Sequence, residues 1–185
     1  ATRSRVVLLN RWVDGISCAL VEQDHGSRQI VHHLVSLGHE HVVYLGGPVN
    51  SWVRHQRWNA LRAAAESEGI RIELLGPYRP LSLDGGAASD AALRTGATGF
   101  VAHNDLLAIG VLQRLRSRGV DVPGEVSVVG YDDMFVATVC TPTLTTLGGE
   151  YEEAARHGVE LLLEDRRDAQ VVLPSSLAIR GATGP

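Results

Sequence analysis

Phe100-Val-Ala-His-Asn-Asp-Leu-Leu-Ala-Ile-Gly110, Val126-Ser-Val-Val-Gly-Tyr-Asp-Asp133 and Pro142-Thr-Leu-Thr-Thr146 are the stretches whose reading decides the fold. The first two are apolar strands that run into polar residues. Asn104, Asp105, Asp132 and Asp133 therefore fall at strand carboxyl ends, the edge of an open α/β sheet where ligands bind. Outward from there, strand and helix signals alternate. Apolar runs at 6–9, 42–45, 72–75, 99–102 and 126–129 read as strands. Helical spacing covers about 26–37, 54–68, 86–94 and 104–117, with Gly38, Gly69 and Gly119 as stops and Asn104 as an N-cap. A last helix is expected over 150–163 and terminal strands over 171–173 and 177–179, while 77–80 and 164–169 read as surface loops. This rhythm predicts βαβ units and a mostly parallel, doubly wound sheet.

Composition narrows the function classes. A chain of 185 residues, 44% hydrophobic, can bury a core. A net charge of −4 argues against this stretch gripping a nucleic-acid backbone. Two cysteines, Cys18 and Cys140, form no disulfide framework and fit a reducing cytoplasm. The apolar run 6–9 is too short for a signal-peptide core or a membrane span. There is no nucleophile elbow, phosphate-binding loop, dinucleotide fingerprint or His-Glu-x-x-His, so catalysis is not expected. His32-His33 and His39-Glu40-His41 offer zinc-type ligands, but the second set straddles a turn into a strand, and no metal or other cofactor is expected.

In the order and spacing of the three stretches quoted, most of the chain resembles the effector-binding half of LacI/GalR-type bacterial transcription regulators. These share a fold with periplasmic sugar-binding proteins. The resemblance implies two similar subdomains joined by three crossings, with the effector in the cleft between them. On that pattern residues 1–19 are a remnant of the N-terminal subdomain and 20–146 a complete C-terminal effector-binding subdomain. Residues 147–170 return to the first subdomain, and 171–185 form terminal strands and a tail. The DNA-reading helix-turn-helix would lie upstream, absent from this chain. Whether it was cut away or is naturally missing stays open. The implied function is sensing of a sugar or related molecule by a dimeric, cytoplasmic regulator that reaches operator DNA only through the absent domain. Alternatives are a sugar-binding receptor of a transporter and a small α/β enzyme using the Asp132-Asp133 edge.

Site residues follow from both routes. Asp132, after Gly130-Tyr131, can accept two hydroxyl hydrogen bonds from a sugar diol, or it can cap the following turn. Asn104 is both an N-cap and the family's cleft position, while Asp105 reads as a first-turn carboxylate facing the helix dipole. Arg57 is expected in the opening turn of its helix with its guanidinium in the cleft, although Arg54 and Arg62 nearby suit a solvated face. Asn10 stands where many relatives carry Asp, keeping an acceptor while losing the charge. Trp12 and Trp52 follow strand ends and can stack on a sugar ring, whereas Trp58 reads as helix packing. Glu22-Gln23 and Gly148-Gly149-Glu150 depart from the family pattern near the crossings. The apolar run 134–140 predicts a symmetric dimer with Phe135 and Val139 near the axis, joined by part of 106–115 including Leu106.

Overall fold

Alternation along the strands decides which helices cover which face. The computed structural model describes residues 5–164 and 166–185; residues 1–4 and Asp165, the latter inside the expected 164–169 loop, lie outside the described residues. In chain order the elements are β1 (Leu8–Leu9), β2 (Cys18–Val21), α1 (Asp24–Ser36), β3 (His41–Leu45), α2 (Trp52–Glu68), β4 (Arg71–Leu75) and α3 (Gly85–Leu93). Then come β5 (Gly99–Ala102), α4 (Asp105–Ser117), β6 (Ser127–Tyr131), α5 (Val136–Val139), β7 (Thr145–Gly149), α6 (Tyr151–Leu163), β8 (Gln170–Leu173) and β9 (Ser175–Ala178).

Six strands form the larger sheet in the order β4-β3-β5-β6-β7-β9, all parallel except the β7–β9 pair. Val42, Tyr44, Val101, Val129 and Tyr131 point to one face, where they meet Ile30, Val31 and Leu34 of α1 and Leu61 and Ala65 of α2. Val43, Leu45, Phe100, Ala102 and Val128 point to the other, against Ala88 and Ala92 of α3 and Leu107, Val111 and Leu115 of α4. The doubly wound reading therefore holds, and two buried faces explain why these strands read as continuous apolar runs. The strand order reverses between β3 and β5, and such a switch point opens a crevice at the strand carboxyl ends.

A smaller parallel sheet, β1-β2-β8, is covered by α6. The chain thus crosses between the sheets three times, after β2, after β7 and after β8. Sheet membership differs from the expected residue division at both ends. Strand β2, read as the start of the larger unit from residue 20, pairs entirely within the small sheet. The terminal strands separate: β8 stays with the small sheet, while β9 and the tail return to the large one, where Ala182 is buried and its carbonyl accepts from Val128 N at 2.8 Å. Helix α2 also begins earlier than expected, at Trp52, because the Ser51 side chain caps it by accepting from Arg54 N. At the crossings the chain passes close to itself. A side chain at Gly149 would meet Val21 at 2.4 Å, so the Gly148-Gly149 pair reflects packing room there.

Helices α3 and α4 approach closely where Gly85 faces Gly110. A Cβ on Gly110 would sit 2.1 Å from the Ser82 carbonyl oxygen, and backbone cannot swing aside. Gly110→Ala should cost about 1–3 kcal/mol. Gly86, one residue along in α3, has open space around it, and Gly86→Ala should be neutral or stabilising by up to about 1 kcal/mol. Urea unfolding of the two variants, run in parallel, tests the contrast.

Candidate functional site

The carboxyl ends of β3, β5 and β6 supply one wall of a cavity of about 240 Å³. Asn10 and Val21 from the small lobe, Gln23 from the first crossing and Tyr151 at the start of α6 supply the other. Ser51, Trp52, Val53 and Arg57 of the α2 entry, with His103, Asn104 and Asp132, complete the lining. The volume lies below the roughly 300–1,000 Å³ usual for drug-sized ligands, which suits one compact molecule. A larger depression, about 440 Å³, lies beside β1 and α6, where the described lining residues are apolar, small or basic rather than a set of paired donors and acceptors. Chemistry, not size, selects the cleft.

Arg57 is its centre. Only 4% exposed, it donates from Nη2 to Asp132 Oδ1 at 2.8 Å, from Nε to Gln23 Oε1 at 3.1 Å, and from Nη1 to the His103 carbonyl. Its Cζ sits 4.1 Å from the centre of the Tyr131 ring, a cation–π contact. Burial works against the charge, but Asp132 first and then Tyr131 outweigh it, and the guanidinium stays protonated. Asp132 accepts at Oδ1 a second bond, from the Tyr151 hydroxyl at 3.3 Å. Burial, then the Asp132 charge, pushes the Tyr151 phenol up to about 12, so it remains a neutral donor. His103 shares a 2.8 Å bond between Nδ1 and the Tyr44 hydroxyl. Burial, then Arg57, pushes it down to about 4, leaving it neutral near pH 7.

Asp132 is presented by a forced turn. Asp132 and Asp133 both have positive φ, 96° and 46°, a conformation costly for residues other than glycine. The turn is held from several sides. Asp132 N donates to the Leu147 carbonyl at 2.8 Å, Asp133 N to Thr146 Oγ1 at 3.3 Å, and Met134 N to Asp105 Oδ2 at 2.7 Å. Asp105 is not the surface dipole partner expected. It is fully buried, accepts the Thr146 hydroxyl at 2.6 Å, and lies where a side chain on Gly130 would collide with it. The two acids at 132 and 133 diverge: Asp133 pairs with Arg180 at 2.7 Å, away from Arg57.

The structure brings Asp132, Arg57, Asn104, Asn10 and Trp52 to one cavity and leaves Trp12 out of its lining, 46% exposed just before the turn closed by the Val13–Ile16 bridge. Two of the five are more committed than expected. Asn104 caps α4 through Oδ1 and donates from Nδ2 to the Pro80 carbonyl. Asn10 accepts from Val21 N at 3.0 Å, so the acceptor it was expected to keep is already partly committed to backbone. Arg57 lies in the second turn of α2, not the first, because that helix starts at Trp52. Gln23, Tyr151, His103 and Asp105 were not singled out as cleft residues. A strand assignment at Cys18–Val21 would have set Gln23 at a strand end, and one at Thr145–Gly149 would have put Tyr151 at a crossing. The histidine clusters disperse: His32 meets Glu68, His33 meets Thr183, His39 meets Thr98 and Ser127, and His41 meets Glu73. Among the described residues no set of three or more acid, His or Cys side chains is placed to hold a metal, and no helix is long and apolar enough to cross a membrane.

Two lobes, three crossings and a polar cleft between them define a cleft-binding domain. The profile of the periplasmic binding protein-like domain matches residues 31–183. The chain belongs to that family and covers the effector-binding region of LacI-type regulators. An HTH-type transcriptional regulator in the aml 5' region of Streptomyces limosus is 33% identical over 96% of this chain and 54% of its own length. A lac repressor dimer bound to operator and an anti-inducer superposes with a TM-score of 0.88 at 26% identity, over all of this chain and 67% of that one. A LacI-family regulator from Enterococcus faecium with bound ribose gives 0.86 at 26% identity, covering 97% of this chain and 70% of that one. The chain spans about half the length of the curated relatives it matches.

Two buried groups give the site opposing pH dependences. The Asp105 carboxyl is pushed up to about 6, chiefly by burial. Its folded value lies above the unfolded one, so its contribution to stability falls as pH rises from about 4 through 6. The folded value of His103 lies below its unfolded one, so its contribution falls as pH drops from about 6.5 through 4. The two slopes largely cancel. Asp105→Asn leaves the His103 slope alone and should lose on the order of 3 kcal/mol more than the parent between pH 6.5 and 4. Urea titrations across that range read the difference, and parallel curves for the two proteins contradict it.

Proposed function

We propose that this chain is the sensing and dimerising part of a cytoplasmic DNA-binding transcription regulator, and that its effector is a sugar or related small molecule held in the cleft at Asp132. The observation that carries this reading is the Arg57–Asp132 pair, buried on the arginine side, open to the cavity on the aspartate side, and reached from both lobes. A carboxylate fixed in this way offers acceptors to two neighbouring hydroxyls. The charges lining the cavity cancel: one guanidinium, one carboxylate, a neutral His103 and neutral phenol and amide groups. Such a site favours an uncharged polyhydroxylated molecule over an ion. Trp52 supplies an aromatic surface at its edge, and Asn10 and Asn104 belong to the same contact set. No catalytic role is assigned, since Asp132 and Asp133 pair with different arginines and flank no common point. Operator DNA is reached through a helix-turn-helix outside this chain.

Dimerisation is assigned to the face built by 134–140 and α4. That run folds as the short helix α5 rather than a strand, burying Ala137 while Phe135 and Val139 stay 77% and 61% exposed. Leu106 is half-buried at the start of α4, a helix that packs on α5.

Asp132→Asn should weaken sugar binding by about 1.5–3 kcal/mol, the scale of a charge-assisted hydrogen bond. Titration calorimetry with a panel of neutral mono- and disaccharides reads this directly, and unchanged affinity for a sugar that binds the parent removes Asp132 from the site. In sedimentation, Phe135→Glu should shift the chain from dimer to monomer, and identical profiles for both proteins would show that the seam lies elsewhere.

A further inference from the structure

Arg180 lies far from the cleft in sequence and lines none of it, yet it reaches the turn that presents Asp132. Its Nη2 donates to Asp133 Oδ1 at 2.7 Å and its Nη1 to the Leu144 carbonyl at 2.9 Å. Asp133 and Leu144 are the two ends of one excursion, the segment that leaves β6, forms α5 and returns as β7. One planar guanidinium therefore staples both ends of that segment, a task that suits the fixed fork of arginine. The segment begins beside the cleft carboxylate and carries Phe135 and Val139 on its outer surface.

The arginine is itself held rigidly. Its backbone N–H donates to Thr145 Oγ1 at 2.9 Å, and that hydroxyl donates to the Arg180 carbonyl at 3.2 Å. Before it, β9 is paired with β7. After it, Ala182 is buried on β6, Thr183 meets both His33 and Thr145, and Gly184 is bound at both backbone groups by Ser127. A brace fixed on both sides can resist the two consecutive left-handed residues at 132 and 133, which no glycine relieves.

We infer that Arg180 is a positioning residue that ties the cleft carboxylate of Asp132 to the apolar face at Phe135 and Val139, so that the two move as one unit. The inference rests on the reading of the cleft as the effector site, but its test needs no effector. Met134, the only methionine in the sequence, sits inside the stapled segment, so methyl-13C methionine labelling reports on it alone.

In R180Q and in D133N the Met134 methyl resonance should shift in the same direction and broaden. R180K, which keeps the charge without the fork, should fall between them and the parent. Amide exchange of residues 132–143 should accelerate roughly ten-fold or more, while β3 and β4 at the far edge of the sheet stay protected. The double variant R180Q/D133N should match R180Q and exceed D133N, which leaves the Arg180–Leu144 bond in place. An unmoved Met134 resonance in R180Q, a response in R180Q without one in D133N, or faster exchange spread evenly over the whole sheet each overturns the assignment. Absence of sugar binding by the parent chain would defeat the effector reading and leave these measurements intact.

Discussion

A buried guanidinium has to find acceptors, and much of the geometry around the cleft follows from how Arg57 finds them. Its partners come from three parts of the chain: the Gln23 amide at the first crossing, the His103 carbonyl after β5 and the Asp132 carboxylate after β6. Removing one member of a buried ion pair typically costs about 3–5 kcal/mol, because the other is left uncompensated. The carbonyl ends of adjacent strands are therefore fixed relative to one another by the requirement to satisfy one cation. The Tyr131 ring beneath it and the Ser27 hydroxyl on the Tyr131 phenol carry the same constraint back into α1.

The constraint also passes between the lobes. Gln23 donates to the Val21 carbonyl at the end of β2 while accepting from Arg57, and Tyr151 reaches Asp132 from the first turn of α6. Small-lobe strand, crossing, cation and carboxylate form one connected chain of hydrogen bonds. Asp132 Oδ1 already serves both Arg57 and Tyr151, so a bound hydroxyl group must use Oδ2 or compete with a bond that spans the lobes. On the proposed reading of the cleft, a hydroxyl that takes Oδ1 trades against the Tyr151 bond and so couples occupancy to an equilibrium between two closures. A ligand shifts such an equilibrium only by its difference in affinity for the two closures.

The parts of this arrangement that depend on pattern were legible in the sequence. Apolar runs such as Gly99–Ala102 and the residues that end them placed Asp132 and Asn104 at the ligand edge, and the resemblance to LacI-type regulators added Arg57 and Asn10. What escaped depended on contact. Strand β7 contains two threonines and two glycines, too polar to read as sheet, while β2 is an apolar run as long as Gly99–Ala102 and was open to reading. Glu22-Gln23 and Gly148-Gly149-Glu150 therefore registered only as departures from the family pattern near the crossings, and Tyr151 not at all. Asp105 resembled any first-turn acid, because nothing local marks that Thr146 and Met134 will fold over it. Trp12 and Trp52 both follow a strand end and are alike by position, yet only Trp52 lines the cavity. Asn10 shows the limit of substitution logic: its acceptor survives chemically but is partly committed to Val21 N.

The same accounting explains how the cleft holds so many polar groups. Each ionisable group lining it is either paired or held neutral: Arg57 and Asp132 by each other, and His103 and Tyr151 by burial. None is left poised as a free base near an unpaired nucleophile, the condition general acid–base catalysis requires. On the proposed reading, the strain concentrated at Asp132 and Asp133 also serves binding. A carboxylate locked by its own turn loses little freedom when a hydroxyl pair docks on it, and that saved entropy appears as affinity. On the proposed reading, rigid presentation of one acceptor by the large lobe complements the donors that Asn10 and Tyr151 bring from the small one.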